Sequence, residues 1–304
     1  MILKKSKEIF SRAFGDHTFS DSQMKLLHST LFQILMDIKR VCDKYRITFL
    51  LSGGTMLGAV RHQGFIPWDD DLDIMMLRSE YEKFREAFRK ESGDKYDLVE
   101  PLQGEYTNKK PKIYLKNSVF TEAVYAGLPA EYRRVFVDVF LIEDVPASPF
   151  ARKMIGAVYD FAFHASGFAA DYKYPSPVIL EKAKTDAEIK KYYNFRRRIG
   201  GVLSVFFGMR FYLWICAHLD HSKKETGWVA LPSAISYNRE VFPKRIFTDL
   251  TDAYFNGESF KIPADYDAYL TNLYHDYMTL PPEEDRVVHS AVEFRLPDRE
   301  DGNE

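Results

Sequence analysis

Residues 52–76 read SGGTMLGAVRHQGFIPWDDDLDIMM, and the fold turns on how this stretch is read. A Gly-Gly turn opens a short apolar helix. An aromatic–proline bend follows, and then carboxylates alternate with apolar residues. Asp69, Asp71 and Asp73 stand two apart, and on an extended strand side chains two apart share a face. Carboxylates crowded on one face repel each other unless a cation lies between them. An all-oxygen set favours a hard cation, Mg²⁺ or Mn²⁺. The Gly53–Gly54 turn offers a phosphate close backbone approach and a helix N-terminus. An isolated Asp-x-Asp usually belongs to a solvated loop. Here the apolar run LDIMML follows, which reads as a buried strand, and an acidic run entering a core strand is costly without a partner. The stretch therefore points to a metal-dependent enzyme acting on a phosphate ester. Asp70 falls on the opposite strand face and reads as structural.

Working upstream, ITFLLS (47–52) reads as a buried strand. Residues 21–45 carry Leu27, Leu31, Ile34, Leu35, Ile38 and Val41 at helical spacing, with Asp21 or Ser22 as N-cap. Downstream, residues 79–91 form an amphipathic helix, and Ser79 with Glu82 fits a capping box. YDLVEP and KPKIYLKNSVFTE read as strands, and then comes VFVDVFLIEDVP. In that strand Phe136, Asp138 and Phe140 share one face, and Val135, Val137 and Val139 share the other. Asp138 is the one charge in an apolar run and needs a partner. Either it pairs with Arg133 or Arg134, or it is a third carboxylate beside Asp71 and Asp73. Its apolar surroundings are expected to raise its pKa, which suits a general base.

The chain has 304 residues and a net charge of −2, so no global field draws it to nucleic acid. The opening MILKKSKEIFSRAFGDH is too charged for a signal peptide. Cys42 and Cys216 read as small core residues, which fits a reducing, cytoplasmic setting. Residues 149–227 read as mostly helical with a break at 174–178, and 227–260 as loops and hairpins. Residues 265–278 read as a helix ended by Pro281–Pro282. The expected class is α/β (α+β), with a mixed-sheet catalytic core over 1–148. A mostly helical region over 149–304 completes the fold and the acceptor side. The segment IGGVLSVFFGMRFYLWICAHL (199–219) is nearly long enough to span a bilayer, but Arg210 sits at its centre. It reads as a buried helix, or as an interfacial helix that holds the protein peripherally on the inner face of the membrane.

GGTMLGAVRHQGFIPWDDDLDI closely resembles the signature of the LicD family of phosphocholine transferases, a group that includes the fukutin-related proteins. FVDVFLIEDVP, the VFP…YFNGESFKIPADYDAYL stretch and YHDYMTLPPEEDRVVH agree in order and spacing. Residues 150–230 carry no match. The resemblance implies a nucleotidyltransferase-like fold with Gly53 and Gly54 at the turn. Asp71, Asp73 and Asp138 would then be the catalytic, metal-binding carboxylates. It further implies transfer of a phospho-alkanol, typically phosphocholine, from a CDP-choline-like nucleotide donor. The acceptor would be a sugar hydroxyl of a cell-surface glycan, such as lipopolysaccharide or teichoic acid, or of its lipid-linked precursor, and CMP would leave. Ser52 and Thr55 hydroxyls, Arg61, Lys112 and His289 complete the expected substrate-binding set. Arg61 also fits a charge at a helix C-terminus, Lys110 and Lys112 fit surface lysines, and Trp68 fits a packed bend. Cys216, His218 and His221 match no standard zinc spacing. Two other functions use the same residues: a nucleotidyltransferase releasing pyrophosphate, and a non-catalytic binding module.

Overall fold

The computed structural model describes residues 19–222, 224–232, 234, 236–282, 286 and 291–297. Helix α1 (Asp21–Tyr45) buries Leu27, Leu31, Ile34, Leu35, Ile38 and Val41, the stripe its periodicity predicts. Its N-cap is Ser20, one residue earlier than expected, because Gln23 completes a reciprocal capping box with it. Strand β1 (Leu50–Leu51) is only two residues long and pairs antiparallel with β2 (Asp73–Leu77). Helix α2 (Gly53–His62) connects them. Helix α3 (Arg78–Ser92) springs directly from β2 with Leu77 as N-cap and no side-chain cap. Ser79 therefore lies inside the first turn, and the expected Ser79–Glu82 box does not form.

Strands β3 (Tyr96–Val99), β4 (Lys112–Leu115), β5 (Val119–Glu122) and β6 (Phe136–Asp144) follow. The run KPKIYLKNSVFTE breaks into two strands at Asn117, whose φ is 59°. The main sheet is mixed, in the order β1-β2-β6-β4-β3, with β2 parallel to β6 and β4 antiparallel to it. Strand β6 is buried along nearly its whole length, as a central strand covered on both faces should be.

The later chain is not only helical. Helices α4 (Pro149–Lys173), α5 (Pro177–Lys182), α6 (Ala187–Phe206) and α7 (Met209–Leu219) pack beside the sheet. Strand β7 (Trp228–Ala230) then pairs with the end of β6, and β8 (Val241–Pro243) pairs with β7. A hairpin of β9 (Leu250–Phe255) and β10 (Glu258–Pro263) leads into α8 (Tyr266–Tyr274). That helix stops well before Pro281 because His275 takes a positive φ of 59°. Strand β11 (Ala291–Arg295) pairs with β5.

Leu35, Ile74, Met75, Tyr81, Phe84 and Val137 are among the fully buried residues of the main core between α1, the sheet and α3. A second core joins α4, α7 and β7 through Tyr159, Ala162, Tyr212, Cys216 and Ala230. Cys42 and Cys216 are both buried free thiols. Among the described residues no single helix is long and apolar enough to cross a membrane. Together α6 and α7 would be, but they are bent by 81° at the break between them.

Candidate active site

The sheet register assembles the site. Asp73 on β2 lies opposite Asp138 on β6, and Asp138 lies opposite Lys112 on β4. Paired residues on neighbouring strands point to the same face, with strands about 4.8 Å apart. Two carboxylates and an ammonium therefore form a row across three strands. Asp69 and Asp71 precede β2, which begins at Asp73, so they do not stand on the strand whose face Asp73 takes.

Asp138 is paired, though not with Arg133 or Arg134. Lys110 Nζ is 2.6 Å from its Oδ2 and Lys112 Nζ is 3.3 Å from its Oδ1. Arg134 instead donates to Asp97, at 2.7 Å. Burial pushes the Asp138 carboxyl up, but the two ammonium groups outweigh it and hold the carboxyl below the usual carboxylate range. The expected upward shift is thus reversed by cations that a surface reading of Lys110 and Lys112 had excluded. Lys112 is buried, and its Nζ sits 3.2 Å from the centroid of the Phe136 ring. Lys110 Nζ lies 3.9 Å from the Phe140 centroid. Burial would lower the Lys110 pKa, but the charges of Asp138, Asp73 and Asp71 raise it. One ammonium thus feels all three predicted carboxylates.

The Gly-Gly turn lies against the same carboxylates. Gly53 has a φ of +49°, which an L side chain rarely adopts, and a Cβ there would meet Asp73 Oδ2 at 2.9 Å. A Cβ on Gly54 would meet Asp69 Oδ2 at 2.6 Å. The flanking hydroxyls have partners within the protein. Thr55 Oγ1 accepts from the Asp73 N–H at 2.8 Å. Ser52 Oγ lies 3.2 Å from the buried Tyr269 hydroxyl, which also accepts from the Gly53 N–H at 3.4 Å. These contacts tie the turn to β2 and to α8.

Two cavities meet at Asp71. The larger, about 390 Å³, is lined by Gly54, Arg61, Trp68, Asp69, Asp73 and Tyr274 as well as Asp71. The other, about 280 Å³, is lined by Asp70, Lys110, Lys112, Glu122, Tyr125 and Asp138 as well as Asp71. Asp70 is buried and faces this second cavity. A further cavity of about 220 Å³ shares Asn108, Val124 and Tyr125 with the second and reaches Phe163, Asp171 and Arg196 on α4 and α6. Arg61 Nη1 donates to the Tyr277 carbonyl at 2.6 Å, so its charge is fixed at the wall of the larger cavity. Trp68 does more than pack a bend, since the Arg286 guanidinium sits 4.2 Å from its ring centroid. His289 lies outside the described residues.

Sequence reading missed His28, Tyr269, Tyr274 and Arg286. His28 stacks on Phe65 at 4.2 Å, and its Nε2 lies 2.6 Å from the Asp69 carbonyl, bracing the acidic run. Burial lowers the His28 pKa against the opposing pull of the Asp69 carbonyl and the Asp70 charge. The Tyr274 hydroxyl is held protonated by burial, by Tyr269 and by the charges of Asp73, Asp69 and Asp71. Tyr269, Tyr274 and Arg286 lie in the family-like segments of the C-terminal region, but their place at the site, like that of His28, comes from contacts made far along the chain.

The donor set suits a hard divalent cation. Its ligating groups are carboxylate oxygens, and the Lys110 ammonium is held against Asp138 and feels the charges of Asp73 and Asp71. Asp71 and Asp73 line the larger cavity and would be the residues to hold it, while both Asp138 oxygens lie against lysines. Among the described residues, Glu143, Asp220 and His221 also approach one another within 4.8 Å. Arg78 enters that group, bonded to Glu143 and 3.5 Å from Asp220, and serves as its cation. Cys216, His218 and His221 go separate ways: Cys216 to the Tyr159 carbonyl, His218 onto Trp214, and His221 to Asp220.

Residues 46–166 match the family model described as LicD/FKTN/FKRP, nucleotidyltransferase domain. The chain is 28% identical over 255 residues to the lipopolysaccharide cholinephosphotransferase LicD of Haemophilus influenzae, covering 83% of this chain and 90% of that protein. It is also 39% identical over 75 residues to an uncharacterized protein of Rickettsia typhi, covering 23% of this chain and 24% of that one. The Gly-Gly turn, the acidic run entering β2 and the Asp138 strand all lie inside the region that matches the LicD family model.

Proposed function

We propose that this protein is a transferase that moves phosphocholine, or a related phospho-alkanol, from a CDP-linked donor to a hydroxyl of a glycan. The observation that carries the reading is the row of Asp73, Asp138 and Lys112 across three strands, beside Asp71 at the meeting of two cavities. The relative across 83% of the chain is a cholinephosphotransferase acting on lipopolysaccharide, which supports the same chemistry and a glycan acceptor here.

The larger cavity would take the donor. Its N–H groups at the start of α2 face phosphate, and Arg61 and Arg286 supply positive charge. Trp68 offers an aromatic face beside Arg286. A Mg²⁺ or Mn²⁺ held by Asp71 and Asp73 would neutralise charge on the diphosphate oxygens. The second cavity would take the acceptor hydroxyl next to Asp138. The new bond forms between that oxygen and the phosphorus of the transferred group. The bond to the CMP oxygen breaks, and CMP leaves with the electron pair. Asp138 is ionised but weakly basic, so its role is to orient the hydroxyl and accept its proton late. This suits a loose phosphoryl transition state, in which early deprotonation contributes little. Lys110 and Lys112 keep Asp138 ionised and place positive charge beside the phosphoryl group.

The test offers CDP-choline, CDP-ethanolamine and CTP, with Mg²⁺ and a lipopolysaccharide acceptor. Acceptor-dependent CMP release from a CDP-linked donor is expected. Pyrophosphate release from CTP with nucleotide attached to the acceptor would replace this reading with nucleotidyl transfer.

A further inference from the structure

The bend between α6 and α7 leaves an apolar surface that no part of the described fold covers. Val205 is 79% exposed, Phe206 75%, Val202 60% and Phe207 50%. From the break into α7 the exposed rings form a ladder. Phe207 stacks on Phe211 at 4.2 Å, Phe211 on Trp214 at 6.1 Å, and Trp214 packs on His218 at 4.1 Å. Helix α4, which packs against both, exposes Phe150, Met154, Val158 and Phe161, spaced to lie along one stripe. Isolated exposed apolar residues are ordinary; a run of large ones on one bend marks an interaction surface.

We propose that this bend docks peripherally on an anionic lipid bilayer, with Val205, Phe206, Phe207, Phe211 and Trp214 entering the interfacial layer. Three observations choose a bilayer surface over other occupants. First, residues 187–219 hold six Lys or Arg residues against one Glu. Lys190, Lys191 and Arg198 are exposed on α6, and Arg210 is exposed at the start of α7 while donating to the Gly104 carbonyl. Basic groups beside an aromatic face suit anionic headgroups above an acyl boundary. Second, a bend of 81° and a helix of only 11 residues after it exclude a straight crossing, while an in-plane seat needs neither length nor straightness. Third, a two-fold dimer through this face would set the patch against itself, bringing these cations together. The surface is separate from the carboxylate site, so the proposal stands or falls independently of the transfer reaction.

The test is flotation of the full chain with phosphatidylcholine vesicles, with and without phosphatidylglycerol, at low and physiological salt. Strong co-flotation with the anionic vesicles is expected, reduced by salt and weak on neutral vesicles. The Phe206→Ser/Phe207→Ser/Trp214→Ser variant should partition at least about tenfold more weakly. Its circular-dichroism melt should show a cooperative transition shifted by no more than a few degrees, because Phe206 is mostly exposed and Phe207 and Trp214 are half-buried only against other surface rings. Arg198→Glu should weaken binding to anionic vesicles about fivefold or more and leave the neutral arm unaffected. Absence of flotation with anionic vesicles overturns the proposal. Sedimentation of the wild type as a dimer that the triple serine variant breaks also overturns it, assigning the face to a second copy of the chain.

Discussion

Asp138 shows how one residue's chemistry depends on its two neighbours in the sheet. It sits between Asp73 on one side and Lys112 on the other, and Lys110 reaches the same carboxylate. From the strand alone, removing a buried charge is expected to stabilise the protein. With the lysines in place the sign reverses, because removing one partner of a buried pair leaves the other uncompensated. Asp138→Asn should lower unfolding stability by about 3 kcal/mol, read from urea denaturation, as well as suppress transfer. Asp73→Asn should behave differently. Its backbone N–H still binds Thr55, so the melt should change little, while acceptor-dependent CMP release should fall about a hundredfold or more. Near-normal turnover in Asp73→Asn would remove the carboxylate row from the mechanism. Asp138 was legible as a residue that needs a partner because a lone charge in an apolar strand needs explaining. Its lysine partners were not legible, because register across β4 and β6 is not written in either strand by itself.

At the scale of elements, the joint between β1 and α2 is the working part. Gly53 turns the chain with φ +49°, and its missing side chain lets Asp73 Oδ2 come close. Tyr269 then fastens the turn from α8. Gly53→Ala should cost about 1–2 kcal/mol from the left-handed backbone alone. It should also displace the Asp73 carboxylate, so the rate should fall more than the melting temperature suggests. A melt lowered with kcat intact would show that the turn only supports the fold. The glycines, the apolar stripe of α1 and the strand character of β6 were readable because each depends on local periodicity. The ends of elements were read less well. The cap moved to Ser20, where Gln23 closes a reciprocal box, and α3 began without its predicted box because β2 runs directly into it.

At the scale of the whole molecule, the last third of the chain reaches back to finish the first. Strands β7 and β8 extend the sheet from β6, and Tyr274 and Arg286 line the larger cavity. The connection between β7 and β8 carries a buried acid, Glu240. Burial pushes its carboxyl up to about 7 from 4.5, against the opposing charges of Arg239, Lys110 and Lys109. The folded state therefore holds a proton that the unfolded chain releases. Stability from this group is present below about pH 4.5 and declines as pH rises towards 7. Glu240→Gln should flatten that decline and stabilise the protein at pH 8 by roughly 3 kcal/mol at most, measured as melting temperature at pH 5 and pH 8. An unchanged difference between the two pH values would show that Glu240 is solvated in solution.

The sequence by itself determined the mixed α/β class, the glycine turn and the strand character around Asp73 and Asp138, because these rest on spacing along one segment and on apolar periodicity. Tertiary structure alone decided that Lys110 and Lys112 are buried against Asp138. It also decided that Tyr269 clamps the turn from more than two hundred residues away, and that Asp71 stands where two cavities meet. The physical reason is the same in each case. Local pattern sets which face a side chain takes, but the charge it meets there comes from strands and helices whose pairing is a property of the packed whole.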